Sequence, residues 1–399
     1  MEIQLLIFAV CLFLYALVAG RIARMPLSGS ILFVALGWLI GPSNLDWLQS
    51  GAGTEELRVM AELTLALVLF SDASNADIKV VKRTFQIPER LLAIGLPLTI
   101  LAGFGTAWLI FPDLGLLECV LLAVILAPTD AALGQNVISN RNVPADIREG
   151  LDVESGLNDG ICVPVLSLFL ALATEMTRDK GPLALGIELF AKQVGIGLAA
   201  GLGVTLACVW LIRLAGSEQR IPAVWRQVLA LGIAFGAYAT AQILGGSGFI
   251  ASFSGGLLFG ALNHSHKKAM LEAAEGTGNV MSMLTWALFG ALVVGPYLAH
   301  CNWPSFAYAV LSLTVLRMVP VTLALTGLNI PFPRKLFIGW FGPRGLASVV
   351  FLVLFIEAEL PGQAIVAETV VATVVLSILF HGITANPLSR LFARPAESA

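Results

Sequence analysis

Apolar stretches long enough to cross a bilayer recur from one end of this 399-residue chain to the other, separated by short polar or Gly/Pro breaks. A helix needs about 20 mostly apolar residues to span roughly 30 Å of hydrocarbon, so each stretch reads as a membrane-spanning helix. The pattern predicts about thirteen spans, near 3–20, 28–43, 58–72, 88–111, 115–133, 150–173, 183–213, 226–244, 247–262, 277–298, 303–326, 336–356 and 363–389. Hydrophobic residues make up 57% of the chain and charged residues 12%, about half the charged share of a soluble domain. A water-soluble fold is excluded. The expected class is an all-α polytopic membrane protein, with no interval between spans large enough for a folded domain outside the bilayer.

The rest of the composition narrows the function. Net charge is −3, without a long run of either sign, which excludes a nucleic-acid partner. The five cysteines are scattered without CxxC or His/Cys spacing, so they read as packing residues and give no disulfide framework or metal cluster. Met1 and Glu2 precede an apolar stretch with no basic flank and no small-residue cleavage site, so a retained first span is expected and not a removed signal peptide. Lys and Arg collect on one side of the predicted spans. Arg58, Arg178 and Lys180 fall on the other side, and Lys192, Arg317 and Arg344 fall within spans. Positive residues accumulate in cytoplasmic loops, so the N-terminus is expected outside and the C-terminus inside.

Spans from the eighth onward overlie those from the first at an offset of roughly 215 to 220 residues, so six spans recur. Seven spans separate equivalents, and an odd number inverts the second copy, a plan shared by many secondary transporters. The first repeat is expected over about 1–175, a linking helix over 183–213 and the second repeat over 226–390. Matching positions carry matching interruptions: Ala127-Pro128-Thr129-Asp130 in the fifth span and Gly342-Pro343-Arg344-Gly345 in the twelfth. Proline lacks an amide donor and breaks the helical ladder, which is tolerated at this depth only where protein or water satisfies the freed carbonyls. A pair of ordinary proline kinks is the plainer alternative, and the charges beside both prolines argue against it.

A charged side chain at the bilayer centre costs about 2.5 to 3.5 kcal/mol even on lenient scales, so each one needs a partner or a task. Asp130 follows the first break. The sixth span opens as Leu151-Asp152-Val153-Glu154-Ser155-Gly156-Leu157-Asn158-Asp159. Glu154 and Asn158 are four apart, as are Ser155 and Asp159, so on a helix they form two adjacent stripes of one polar seam. Arg317, inside Leu313–Val319, cannot lose its proton and needs a buried acid, for which Glu154 is the expected partner. That pairing directs the fixed positive charge away from Asp159 and Asp130, and a desolvated acid so placed can hold either a proton or a small cation near neutral pH. Thr129 and Ser155 add hard oxygen ligands suited to an alkali ion. Asp72, ending the third span, is an extra ligand or a plain helix-end acid, and Asp77 reads as loop.

Thr129-Asp130, followed 29 residues later by Asn158-Asp159 within Glu154–Asp159, together with Arg317 and the Gly342–Gly345 break, resembles the NhaP-type sodium/proton antiporters, relatives of the animal sodium/proton exchangers. The resemblance covers the whole chain. It implies the NhaA-like antiporter fold: a homodimer whose mobile core, here mainly 88–173 and 303–389 with the two broken crossing helices, moves by an elevator-like alternating-access motion. Carried over, Asp159 is the main cation and proton carrier, and Asp130, Ser155 and the Thr129 main chain complete a sodium site. Glu154, Asn158 and Arg317, with Arg344 at the second break, form a structural network beside it. Relatives with two aspartates exchange two protons per sodium, so Asn158 implies one-for-one electroneutral exchange. No cofactor is implied beyond the transported Na+ and H+, with Li+ or K+ as alternative cations. Animal exchangers carry a long regulatory tail absent from this sequence, which implies a prokaryotic inner-membrane protein bathed in lipid and without such regulation.

Other features carry less. His264 and His266 fall in a loop, and His300 and His381 near span ends, with none in a cluster. Gly245–Gly248 and Ser254–Gly256 lack the strand and Lys-Ser/Thr of a phosphate loop and read as a turn and a close helix contact. Another ion-coupled solute carrier is one alternative. An intramembrane serine hydrolase using Ser155 is another, but it requires a histidine deep in a neighbouring span.

Overall fold

The computed structural model describes residues 2–22, 28–45, 54–75, 86–130, 133–138, 140, 142–175, 182–214, 221–262 and 267–392, and all regular structure among them is helical. Asp77, His264 and His266 lie outside the described residues. Two compact units divide the chain: Met1–Arg58, Thr84–Asn158 and Met283–Ala399 form one, and Val59–Arg83 with Asp159–Ser282 the other. Both units draw on both halves of the sequence.

The helices are α1 (Glu2–Ile22), α2 (Gly29–Ile40), α3 (Thr54–Asn75), α4 (Gln86–Ile110), α5 (Leu116–Ile125), α6 (Ala145–Glu175), α7 (Pro182–Leu214), α8 (Ala223–Ile243) and α9 (Gly248–Leu262). They continue as α10 (Lys267–Phe289, running through a π-helical turn at Gly290–Val294 into Gly295–Leu298), α11 (Trp303–Ala324), α12 (Phe332–Trp340), α13 (Leu346–Glu357) and α14 (Gln363–Arg390). Six stretches, Gln86–Ile110, Ala145–Thr174, Phe190–Leu214, Met270–Leu298, Trp303–Ala324 and Gln363–Arg390, are each long and apolar enough to cross a membrane. Further apolar helices are shorter, among them Leu116–Ile125 and Leu346–Glu357. Their shortness has a local cause: each stops at or starts from one of the proline-bearing breaks, so one expected span becomes two pieces.

Helix ends follow their sequence. Ser28 accepts a hydrogen bond from Ile31 N–H at 3.3 Å to cap α2, and Asn302 Oδ1 accepts one from Ser305 N–H at 2.9 Å to cap α11. In the first unit an apolar core joins Ile87 and Leu91 of α4, Ile147 and Leu151 of α6, Val321 of α11, Phe337 and Ile338 of α12, and Ala385 of α14. In the second, Leu67 and Phe70 of α3 pack with Val209, Ile233, Phe259 and Met270. Lipid is as apolar as leucine, so helix contacts in such a protein favour small residues. Gly201 of α7 shows the reason: a Cβ there would overlap the Ala251 carbonyl oxygen of α9 and sit 2.8 Å from its Cα.

α6, like α3 and α10, is divided between the two units. Up to Asn158 it packs in the first unit through Ile147 and Leu151. From Asp159 onward it belongs to the second, where Gly160 meets the Phe253 ring at a distance that leaves no room for a side chain.

Candidate functional site

Pro128 and Pro343 decide where the polar centre of the first unit forms. Each lacks an amide donor and biases the preceding residue, Ala127 or Gly342, away from helical torsions. α5 ends at Ile125 and the chain is irregular through Asp130, while α12 ends at Trp340 and the chain is irregular until α13 begins at Leu346. The carbonyls freed by one break are satisfied by the other. Arg344 Nη1 donates to Ala127 O and, at 3.1 Å, to Pro128 O. Ser348 Oγ donates to Ile125 O at 2.7 Å. Asp130 N–H donates to Pro343 O at 2.8 Å, and the Asp130 carboxylate accepts from Leu346 N–H at 2.9 Å and Leu133 N–H at 3.2 Å. The Arg344 guanidinium is 0% exposed. The plainer reading of two independent proline kinks does not describe this junction, because each break completes the other's hydrogen bonding.

Gly345 is required by the close approach. A Cβ there would overlap Asp130 Oδ2 and come within 2.5 Å of the aspartate Cβ and Cγ. Gly345→Ala is therefore expected to displace a side chain tethered at both oxygens and to lower stability by about 1–3 kcal/mol. A lower apparent melting temperature of the purified variant in detergent is the expected readout, and a wild-type melting temperature would contradict it.

α6 brings its polar seam to the same junction. Ser155 Oγ donates to Thr129 O at 2.6 Å, and Asn158 Nδ2 donates to Thr129 Oγ1 at 2.7 Å. Asn158 thus holds the Thr129 side chain while Ser155 holds its main chain. Glu154, one turn before Asn158, faces Arg317 of α11: Arg317 Nη2 lies 2.6 Å from Oε1 and donates to Oε2 at 2.7 Å, with both residues 1% exposed. Gly342 makes space for that guanidinium, since a Cβ at this position would be 2.6 Å from Arg317 Nε.

A crevice of about 10 Å³ opens at this junction, lined by Thr129, Asp130, Ser155, Phe341 and Pro343 among others, with room for the centre of one water-sized particle. The residues that line it carry carboxylate, hydroxyl and carbonyl oxygens, the donor set of hard cations. Among the described residues no group of three or more His, Cys, Asp or Glu is placed to hold a metal ion.

The other expected site residues are placed as follows. Asp159 is 9% exposed, follows Asn158 on α6 and stands four residues beyond Ser155; by its contacts it belongs to the second unit. Asp72 is half-buried near the C-terminal end of α3, also in the second unit. Neither lines the crevice.

One residue was misjudged from sequence. His381 does not sit at a span end: it is 2% exposed within α14, with Nε2 2.8 Å from Trp340 O and Nδ1 3.2 Å from Ser377 Oγ. An ionisable side chain in an apolar span, four residues after a serine, was the available signal. A buried histidine thus exists after all, but it pairs with Ser377, while Ser155 gives its hydroxyl proton to Thr129 O. Among the described residues the geometry expected of a hydrolase at Ser155 is not formed.

Apolar helices of membrane length, together with shorter ones interrupted around a shared polar junction with hard oxygen donors, define a polytopic helical membrane protein of the transporter type. The chain belongs to the sodium/hydrogen exchanger family: residues 7–391 match the family model described as sodium/hydrogen exchanger, transmembrane. It is 25% identical over 375 residues to the K(+)/H(+) antiporter NhaP2 of Shewanella baltica, covering 92% of this chain and 63% of that protein. It is 27% identical over 341 residues to the Na(+)/H(+) antiporter NhaS2 of Synechocystis, covering 80% and 59%. The chain thus spans less than two thirds of the length of these relatives. In fold it is similar to the sodium proton antiporter MjNhaP1 from Methanocaldococcus jannaschii, with a TM-score of 0.79 at 22% identity over 99% of this chain and 100% of that one.

Proposed function

We propose that this protein is a secondary antiporter that exchanges a monovalent cation, Na+ with Li+ or K+ as alternatives, for H+, and that it is not an enzyme. The observation that carries the reading is the junction itself: two interrupted helices converge on Asp130, where Thr129 and Ser155 supply hard oxygens around a space of water size. Membership in the exchanger family and the printed activities of NhaP2 and NhaS2 support it.

We assign proton carriage to Asp159, with Asp130, Ser155 and the Thr129 main chain as its companions in holding the cation. Glu154, Asn158, Arg317 and Arg344 keep that set in place. Facing the cytoplasm, Asp159 releases a proton and accepts the cation; outside, a proton displaces the cation and the cycle reverses. The core helices, mainly 88–173 and 303–389, would move in an elevator-like step within a homodimer. The proposed setting is a prokaryotic inner membrane, with the N-terminus outside and the C-terminus cytoplasmic, and with inverted repeats at 1–175 and 226–390 joined by 183–213. No cofactor takes part.

Purified protein in proteoliposomes tests this reading. Proton flux is expected to saturate with Na+, Li+ or K+, and the choice of cation is read from the same titrations. Because Asn158 stands where a second carboxylate would add a charge, shunting the membrane potential with valinomycin and potassium is expected to leave the Na+-driven rate unchanged. Acceleration on shunting would replace one-for-one exchange by unequal exchange, and an unsaturable cation conductance would replace antiport by a channel.

A further inference from the structure

Three hydrogen bonds from α14 reach the second break, and the site described above uses none of their donors or acceptors. Ser377 Oγ accepts from Arg344 N–H at 2.7 Å. Thr384 Oγ1 accepts from Trp340 Nε1 at 2.9 Å. His381 Nε2 lies 2.8 Å from Trp340 O, and its Nδ1 lies 2.8 Å from Ser377 O and 3.2 Å from Ser377 Oγ. The Trp340 indole is 5.2 Å from the imidazole, inclined by 33°, and Phe341 closes the other approach at 6.3 Å. His381 therefore reaches one side of the break, the last carbonyl of α12, directly. It reaches the other side, the Arg344 amide that leads into α13, through Ser377.

We infer that His381, with Ser377, is a positioning residue for the cation site, acting as a strut that fixes the distance between the two ends of the broken helix. Trp340 O already accepts the Gly342 N–H at 2.9 Å where α12 ends, and a carbonyl has a second lone pair for a further donor. With its proton on Nε2 the imidazole supplies that donor at Trp340 O, which leaves Nδ1 to accept the Ser377 hydroxyl. Ser377 holds the Arg344 main chain, the Arg344 guanidinium holds Ala127 O and Pro128 O, and two residues on, Leu346 N–H holds Asp130 Oδ2. The strut is thus connected to Asp130 and Thr129 without touching the cation. Loosening it moves ligands and leaves the exchanging carboxylate on α6 in place, so its loss weakens cation binding more than it slows turnover.

The proposal rests on the antiport reading above, and the experiment separates the two. In proteoliposomes, the half-saturating Na+ concentration and the maximal rate are compared for wild type, His381→Ala, His381→Gln and His381→Asn. A glutamine amide nitrogen reaches the place of Nε2, whereas an asparagine amide reaches only the place of Nδ1. Loss of one buried hydrogen bond predicts a half-saturating concentration raised about 5-fold in the Ala and Asn variants, with a smaller change in maximal rate. His381→Gln is expected to stay near wild type. Equal half-saturation in all four proteins, or a Gln variant as impaired as the Asn variant, overturns the strut. If the Ala variant does not fold, the Gln and Asn pair decides between these outcomes. Ser377→Ala tests the second arm and is expected to raise half-saturation in the same direction. Absence of cation-dependent proton flux in wild type refutes the antiport reading itself and is recognised before any variant is compared.

Discussion

Asp159→Asn is expected to reduce cation-driven proton movement to the level of membranes lacking the protein, while leaving the protein folded. The substitution preserves the size of a side chain that is 9% exposed but removes its ability to bind and release a proton. In everted vesicles, sodium addition should collapse a preformed pH gradient with wild type and leave it intact with the variant. An equal yield of monodisperse protein would show that folding is unaffected, and normal exchange by the variant would remove Asp159 from the mechanism. Asp130→Asn provides a contrast. Its two oxygens each accept a main-chain N–H, from Leu133 and from Leu346, and an amide would oppose one of those donors with its own. Damage there is expected to show as lost stability as well as lost transport.

The second large effect belongs to the Glu154–Arg317 pair. Removing one partner of a buried ion pair leaves the other charged and desolvated, at a cost of about 3–5 kcal/mol, whereas replacing both by apolar groups of similar volume is often neutral. Arg317→Met alone is therefore expected to lower the apparent melting temperature in detergent sharply, and Glu154→Leu combined with Arg317→Met to recover most of that loss. A double variant as unstable as the single one would show that the two side chains do not act as a pair. Gly342, whose missing Cβ accommodates the Arg317 guanidinium, belongs to the same unit of stability. Gly342→Ala should be sub-additive with Arg317→Met.

Much of this site is legible in the sequence because its signals are local. Hydropathy marks the apolar helices, and proline at 128 and 343 marks where two of them stop. The four-residue spacing of Glu154 and Asn158, and of Ser155 and Asp159, places them on one side of a helix. The Glu154–Arg317 contact could be anticipated because a guanidinium in an apolar helix demands an acid and few were available. His381 was misplaced for the opposite reason: nothing within one turn of it but Ser377 hints at a partner, and Trp340 is 41 residues away. The Arg344 guanidinium could be recognised as needing neutralisation or acceptors, but its acceptors are carbonyls, which carry no sequence signature.

The sequence alone determined that this chain lies in a membrane, where its helices break and which face of α6 is polar, since these follow from burial energies and torsions set within a few residues. The tertiary structure alone decided that Ala127 and Pro128 would be capped by a side chain more than 200 positions away. It likewise decided that Asp130 would be held from both sides by main-chain amides, and that Gly345 must remain without a side chain. Those contacts join backbone groups that every residue possesses, so only the packing of the helices in space selects which of them meet.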